Sequence, residues 1–165
     1  MKLAIIGGVA GGMSAAARAR RLDEKMTIVV LERGAHVSFA NCGLPYHVGG
    51  AIQDRDDLLL QTPQSLQANL ALDVRTGHEA RAIARTAKTV SVVELKTGRK
   101  YEESYDKLII ATGASPILPK LPGADHPRIM VLRTVDDMDC IKKLVDVGAK
   151  SANDVIDAIA AAQEP

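Results

Sequence analysis

Two short apolar runs near the start of the chain, residues 3–6 and 27–31, lack any alternation of polar and apolar positions. An uninterrupted apolar run of that length predicts a parallel strand buried on both faces. The first run ends in glycines and leads into GGVAGGMSAAARARRL, whose small residues Ala15, Ala16, Ala17 and Ala19 predict a helix, and the second run is closed by Glu32. A third apolar run at 107–111 predicts another buried strand, closed by Thr112 and Gly113. Between these lie weaker patterns. Residues 74–81 and 89–95 predict strands, Thr97 and Gly98 a turn, and residues 100–104 a further strand, together a small β-meander. QDRDDLLLQTPQSL predicts a charged loop and then a helix capped at Thr62 and opened by Pro63. Pro116, Pro119 and Pro122 break regular structure. A short strand is expected at 129–132, before a helix starting at Thr134 with Asp137 three residues on. Cys140 falls on that helix as a packing residue. The last stretch, SANDVIDAIAAAQEP, reads as one short helix capped at Ser151, with Asp154 following and Val155 and Ile159 four apart.

Composition narrows the function classes. A chain of 165 residues suits one domain with a real core. It is 47% apolar but only 2% aromatic, so that core is aliphatic, and base stacking on nucleic acid is disfavoured. A formal net charge of +1 gives no strong field for nucleic acid or an anionic membrane. The N-terminal apolar run is broken by glycines and meets Arg18, Arg20 and Arg21, so neither a signal peptide nor a membrane span is read, and a cytoplasmic location is the default expectation. Cys42 and Cys140 are far apart and have no metal-ligand spacing with histidine, so neither a disulfide framework nor a metal site is expected.

The candidate chemistry sits in two places. Gly7 and Gly12 hold the first and last places of a G-x-G-x-x-G turn, and Val9 holds the middle one. Glu32 follows twenty residues after Gly12, where an acid would accept ribose hydroxyls. Strand, glycine turn, helix, strand and acid in that order predict a dinucleotide site, without saying which dinucleotide. The second place is residues 38–50, SFANCGLPYHVGG, read as a loop turning into a short helix with Pro45 in its first turn. Cys42 at a helix N-terminus would be favoured as a thiolate; the plainer reading is a small buried hydrophobe. Arg18 and Arg21 are three apart on one helix, a pair that suits phosphates or a solvated face alike. The histidines His36, His47 and His126 are given no role, and His78 fits a strand position better than a catalytic base.

IIGGVAGG, RRLDE, SFANCGLPY and YDKLIIATGASP resemble the pyridine nucleotide-disulfide oxidoreductases, in particular the coenzyme A-disulfide reductase branch with its rhodanese-fused forms, over residues 1 to 147. The resemblance implies an α/β, Rossmann-like FAD-binding domain (three-layer, parallel sheet) with an inserted antiparallel β-meander. FAD would lie along Gly7, Val9, Ala10, Gly11, Gly12, Glu32, Arg33, Ala80, Ala111, Thr112 and Gly113. Cys42 would form a mixed disulfide with coenzyme A, with Ser14, Arg18, Arg21, Ser38 and Asn41 holding that substrate and NAD(P)H as electron donor. The family often has a basic residue near the end of the helix opened by Pro63, where this chain has Asn69 and Leu70. NADH oxidases and peroxidases of the superfamily carry a histidine where Ala10 stands, which disfavours that alternative. After Gly148 a strand and a second glycine fingerprint are expected and not found, so residues 1–147 read as the N-terminal segment of a normally discontinuous FAD domain and 148–165 as an unrelated helical tail. A non-catalytic flavin- or coenzyme A-binding module is therefore the competing reading. Association is expected on uncovered apolar surface, with a second copy or a complementing subunit.

Overall fold

The computed structural model describes residues 1–127 and 129–148. Its elements are β1 (Lys2–Ile6), α1 (Ala10–Leu22), β2 (Thr27–Glu32), α2 (Leu44–Val48), α3 (Pro63–Leu70), β3 (Asp73–Thr76), β4 (His78–Ala84), β5 (Thr89–Glu94), β6 (Lys100–Ser104), β7 (Lys107–Ile110) and α4 (Val135–Asp146). They fall into two compact units, Met1–Phe39 with Leu59–Gly113, and Ala40–Leu58 with the chain from Ala114 on.

In the first unit, β1 and β2 are apolar throughout because each has something to cover on both faces. They form the centre of a four-stranded parallel sheet of order β3-β2-β1-β7. Leu3, Ile5, Ile28 and Val30 pack with Met13 and Ala16 of α1 and Leu66 of α3 on one face. Ile6, Val29 and Leu31 pack with Val90 and Val92 of β5 on the other. The second covering layer is the antiparallel sheet β4-β5-β6, so the unit is helix, parallel sheet and antiparallel sheet in three layers. That is the Rossmann-like α/β arrangement with a meander that the sequence predicts. Burying each such aliphatic side chain contributes roughly 1.5–3 kcal/mol.

Three expectations need correction. Residues 74–81 are not one strand: the chain leaves the parallel sheet after Thr76 and enters the antiparallel one at His78, turning at Gly77 with φ +70°. A left-handed backbone is unstrained only at glycine, which makes this the place to change sheets. The strand at 107–111 is shorter, β7, and is not buried, because it lies at a sheet edge; Ile110 is 61% exposed. Residues 129–132 carry no strand; they run as irregular chain with no ladder partner among the described residues. The expected helix from Ser151 lies outside the described residues.

In the second unit, α2 packs on α4, with Leu44, Leu58, Val135 and Met138 buried. Arg55 donates to both carboxylate oxygens of Asp139 at 2.8 Å, fixing the loop to α4 and raising the guanidinium's pKa through that hydrogen-bonded pair. Helix α4 begins as expected: the Thr134 hydroxyl accepts from the Asp137 N–H, and the Asp137 carboxylate accepts from the Thr134 N–H. Among the described residues no helix is long and apolar enough to cross a membrane.

Candidate functional site

The glycine turn between β1 and α1 is sterically closed. A Cβ on Gly7, whose φ is +104°, would stand 2.2 Å from the Ala111 carbonyl oxygen and 3.2 Å from the Thr112 nitrogen. A Cβ on Gly12 would stand 1.8 Å from the Gly7 carbonyl oxygen. At Gly11 a Cβ would only touch Ala111 at 3.7 Å, and Val9 is the N-cap of α1. The end of β7 supplies its wall: the Ala111 N–H donates to the Ile6 carbonyl at 2.8 Å, and Thr112 and Gly113 continue it at the surface.

Helix α1 opens this cradle toward a ligand. No side chain caps it and no acid lies in its first turn. Its first internal bond runs from the Met13 N–H to the Val9 carbonyl, leaving the N–H groups of residues 10–12 without a partner among the described residues. Such a terminus can hold an anion, a pyrophosphate among them. Glu32 stands beside it with a task the sequence did not indicate. Its two carboxylate oxygens accept from the N–H groups of Gly8 and Gly34, each at 2.7 Å, bracing the turn from β2. A carboxylate keeps further lone pairs for ribose hydroxyls. Arg33 is exposed just beyond, and Ala80 packs against the cluster that holds Val90 and Val92 of β5, at a bulge in β4.

A cavity of about 520 Å³ opens beside α1, with Val9 and Ala10 at the end of the glycine turn in its lining. Met13, Leu66 and Leu70 give it apolar walls, and Ser14, Ser38, Gln61 and Asn69 are its polar side chains. Ser38 is held there at φ +49° with its N–H donated to the Gly8 carbonyl at 2.9 Å, so cavity and glycine turn share a backbone bond. A non-glycine residue in that region is a candidate for function. The structure thus brings together Ser14 and Ser38, while Arg18 and Arg21 follow Ser14 on the exposed side of α1, with no ion pair or hydrogen bond among the described residues. The intervening Arg20 behaves differently. Its guanidinium donates to the carbonyls of Leu70 at 2.8 Å and Ala71 at 3.1 Å, and to Asp23 and Glu24, tying the ends of α1 and α3.

In the second unit, Asn41, Cys42 and Gly43 form one 3-10 turn that runs into α2, so Cys42 stands two residues before the helix rather than in it. Cys42 is exposed, which excludes the reading of a packed hydrophobe. Gly43 is buried where a Cβ would meet the end of Leu58 at 2.4 Å. His47 is buried, its Nδ1 2.9 Å from the Ile52 carbonyl, and serves to hold the chain after α2. Cys140 is half-buried on α4.

One cluster was not visible in the sequence reading. Glu103, buried on β6, pairs with Lys2 and with Arg75, and Arg75 also grips Asp73 and the Tyr101 hydroxyl. The hydrogen bond to Asp73 is the main reason the Arg75 pKa is pushed up. Tyr101 and Glu103 alternate with Lys100, Glu102 and Ser104 along β6, so the inward acid was in principle readable from the period of two.

The family profile described as pyridine nucleotide-disulphide oxidoreductase matches residues 1–150. A coenzyme A disulfide reductase of Staphylococcus haemolyticus is 40% identical over 145 residues, 88% of this chain and 32% of the relative. The crystal structure of the reduced CoADR-RHD protein of Bacillus anthracis superposes with a TM-score of 0.85 at 44% identity, covering 88% of this chain and 26% of that one. An NAD-dependent persulfide reductase from A. fulgidus gives a TM-score of 0.85 at 36% identity, covering 90% and 28%. The chain spans about a third of the length of the curated relatives it matches.

Proposed function

The chain belongs to the pyridine nucleotide-disulphide oxidoreductase family, and on that premise we propose that it carries the FAD-binding segment of an oxidoreductase that reduces coenzyme A disulfide, or a related disulfide or persulfide, through Cys42. The observation that carries this reading is the open N-terminus of α1 inside a cradle that admits no Cβ at Gly7 or Gly12. FAD, when bound, supplies a two-electron carrier between NAD(P)H and a thiol–disulfide couple. The N–H groups of residues 10–12 would hold its pyrophosphate, and Glu32, which braces Gly8 and Gly34, would accept from its ribose. Val9, Arg33, Ala80, Ala111, Thr112 and Gly113 would line the rest of the nucleotide.

The exposed Cys42 sulfur attacks one sulfur of the substrate disulfide as a thiolate. A Cys42–coenzyme A disulfide forms, and the other coenzyme A leaves as a thiolate that takes a proton from solvent. Two electrons and a proton originating from NAD(P)H cleave the mixed disulfide, returning the Cys42 thiolate and a second coenzyme A thiol. Ser14 and Ser38 hold the substrate within the cavity beside α1, Arg18 and Arg21 attract its phosphates, and Asn41 precedes the nucleophile in its turn.

The test uses the purified chain and its Cys42→Ser variant. With FAD added, the expected result is a bound-flavin absorbance spectrum in both, and after coenzyme A disulfide a mass increase of one coenzyme A in the parent only. A colourless protein that leaves FAD free, with Cys42 unmodified, would overturn the reading. Binding of FAD and coenzyme A without any modification of Cys42 would instead establish a non-catalytic binding module.

A further inference from the structure

The antiparallel sheet β4-β5-β6 has an outer face that the glycine turn and the parallel sheet do not use. Val90 and Val92 of β5 pack inward, so by the period of two Ser91 and Val93 point outward. Strand register then sets two outward rows, Glu79 with Val93 and Lys100, and Ala82 with Ser91 and Glu102. A cavity of about 620 Å³ opens over these rows, and Arg81, Ser91, Val93, Lys100 and Glu102 are in its lining.

The charges in that lining are of both signs. Arg81 is the extra residue of the bulge between Ala80 and Ala82, a device that re-aims a side chain, and its guanidinium pairs with Glu79 at 2.7 Å. The Lys100 ammonium, on the opposite margin of the sheet, has no ion pair or hydrogen bond among the described residues. Glu102 follows Lys100 by two residues on the same face of β6, about 7 Å along the strand. Its carboxylate accepts from the Ser91 hydroxyl. The hydroxyls of Ser91 and Thr89 hold it below the ordinary carboxylate value, so it is an anion at neutral pH, and a carboxylate so bonded keeps further lone pairs. Val93, on the central strand, gives the cavity an apolar floor.

A plain anion in this space would face the Glu102 carboxylate, and a plain cation would face Lys100 and Arg81. A molecule that carries both charges on neighbouring atoms avoids either repulsion. We infer that the outer face of the antiparallel sheet is a binding site for a small zwitterion of the α-amino acid class. The carboxylate meets Lys100 and Arg81, the ammonium meets Glu102, and an aliphatic side chain rests on Val93. The three charged groups are exposed, so the site is of millimolar affinity. It shares no residue with the glycine turn or with Cys42, and it stands or falls independently of the coenzyme A reading.

The experiment is calorimetric titration of the 165-residue chain with L-leucine, with leucinamide, which lacks the carboxylate, and with N-acetylleucine, which lacks the ammonium. Leucine should bind saturably at millimolar concentration, and each analogue about fivefold more weakly, the scale of one exposed ion pair. Lys100→Gln should weaken leucine and N-acetylleucine and leave leucinamide unchanged. Glu102→Gln should weaken leucine and leucinamide and leave N-acetylleucine unchanged. The Lys100 side chain holds no other group, so its replacement tests the site without disturbing the sheet. No saturable heat from millimolar leucine, either analogue binding as tightly as leucine, or a Lys100→Gln chain that binds leucine like its parent would overturn the inference.

Discussion

Replacing Gly12 by alanine tests the packing of the glycine turn without reference to any ligand. The new Cβ would stand 1.8 Å from the Gly7 carbonyl oxygen and 3.2 Å from the Ile5 side chain. To reach even the shortest contact that real Cβ atoms make, α1 and the turn must part by about 1.2 Å, and the obstruction is backbone that cannot rotate away. Overpacking of this kind costs about 3 kcal/mol, at the upper end of the usual range. Alanine returns up to about 1 kcal/mol through its better helix propensity. The net loss of about 2 kcal/mol should lower the melting temperature by about 4–8 °C in a chain of this size, followed by far-UV circular dichroism. Gly11→Ala is the matched control, one residue away on the same helix, where the Cβ finds only Ala111 at 3.7 Å. It should melt no lower than the parent. A Gly12→Ala protein as stable as Gly11→Ala would refute the steric account of the turn.

Three other perturbations address different parts of the molecule. Glu32→Gln leaves one of the Gly8 and Gly34 N–H groups facing an amide donor, so urea unfolding should show a loss of about 1–3 kcal/mol. Arg20→Ala should cost about 2 kcal/mol in the same assay, because charged donors to four carbonyls are lost; Arg18→Ala on the same helix should stay within about 0.5 kcal/mol. Glu94 is held below the ordinary carboxylate value of 4.5 by the Thr97 hydroxyl and Arg99, and Glu102 by the hydroxyls of Ser91 and Thr89. Both favour the folded state as anions, so their contribution is complete above 4.5 and fades as pH falls through their lowered folded values. The parent should therefore lose melting temperature more steeply below pH 4.5 than Glu94→Gln with Glu102→Gln, and parallel acid limbs would rule this out.

What could be read in advance was what local chemistry decides. Thr134 with Asp137 marked the start of α4 because the capping partners are three residues apart and need nothing else. Gly7 and Gly12 marked the turn because their spacing is set by the strand-to-helix geometry itself. Thr62 with Pro63 worked in the same way for α3, although there Ser65 rather than an acid closes the reciprocal bond. The misses depended on distant partners. Nothing in the sequence separates Arg20 from Arg18 and Arg21, because the Leu70 and Ala71 carbonyls that claim it lie fifty residues on. Gly77 looked like an interruption within one strand because both halves are extended, and only the sheet each half joins reveals two elements. Residues 129–132 have strand composition, yet a strand exists only where a neighbour offers a ladder. Cys42 was legible as a residue of interest, but its exposure is set by how the 3-10 turn meets α2.

The antiparallel sheet leaves the parallel one at Gly77, beyond one edge strand, and returns at Asp106, before the opposite edge strand. The Asp106 N–H bonds to the Lys2 carbonyl, and the Asp106 carboxylate accepts from the Lys2 N–H. In mechanical terms the meander is a strap fastened at both margins of the sheet, with Val90 and Val92 pressed on its middle. A strap held at two ends cannot be lifted at one. Amide protons of β1, β2 and β5 should accordingly exchange with solvent in a single shared opening event, and a force applied across β3 and β7 would be borne by the whole layer before either edge strand peels away.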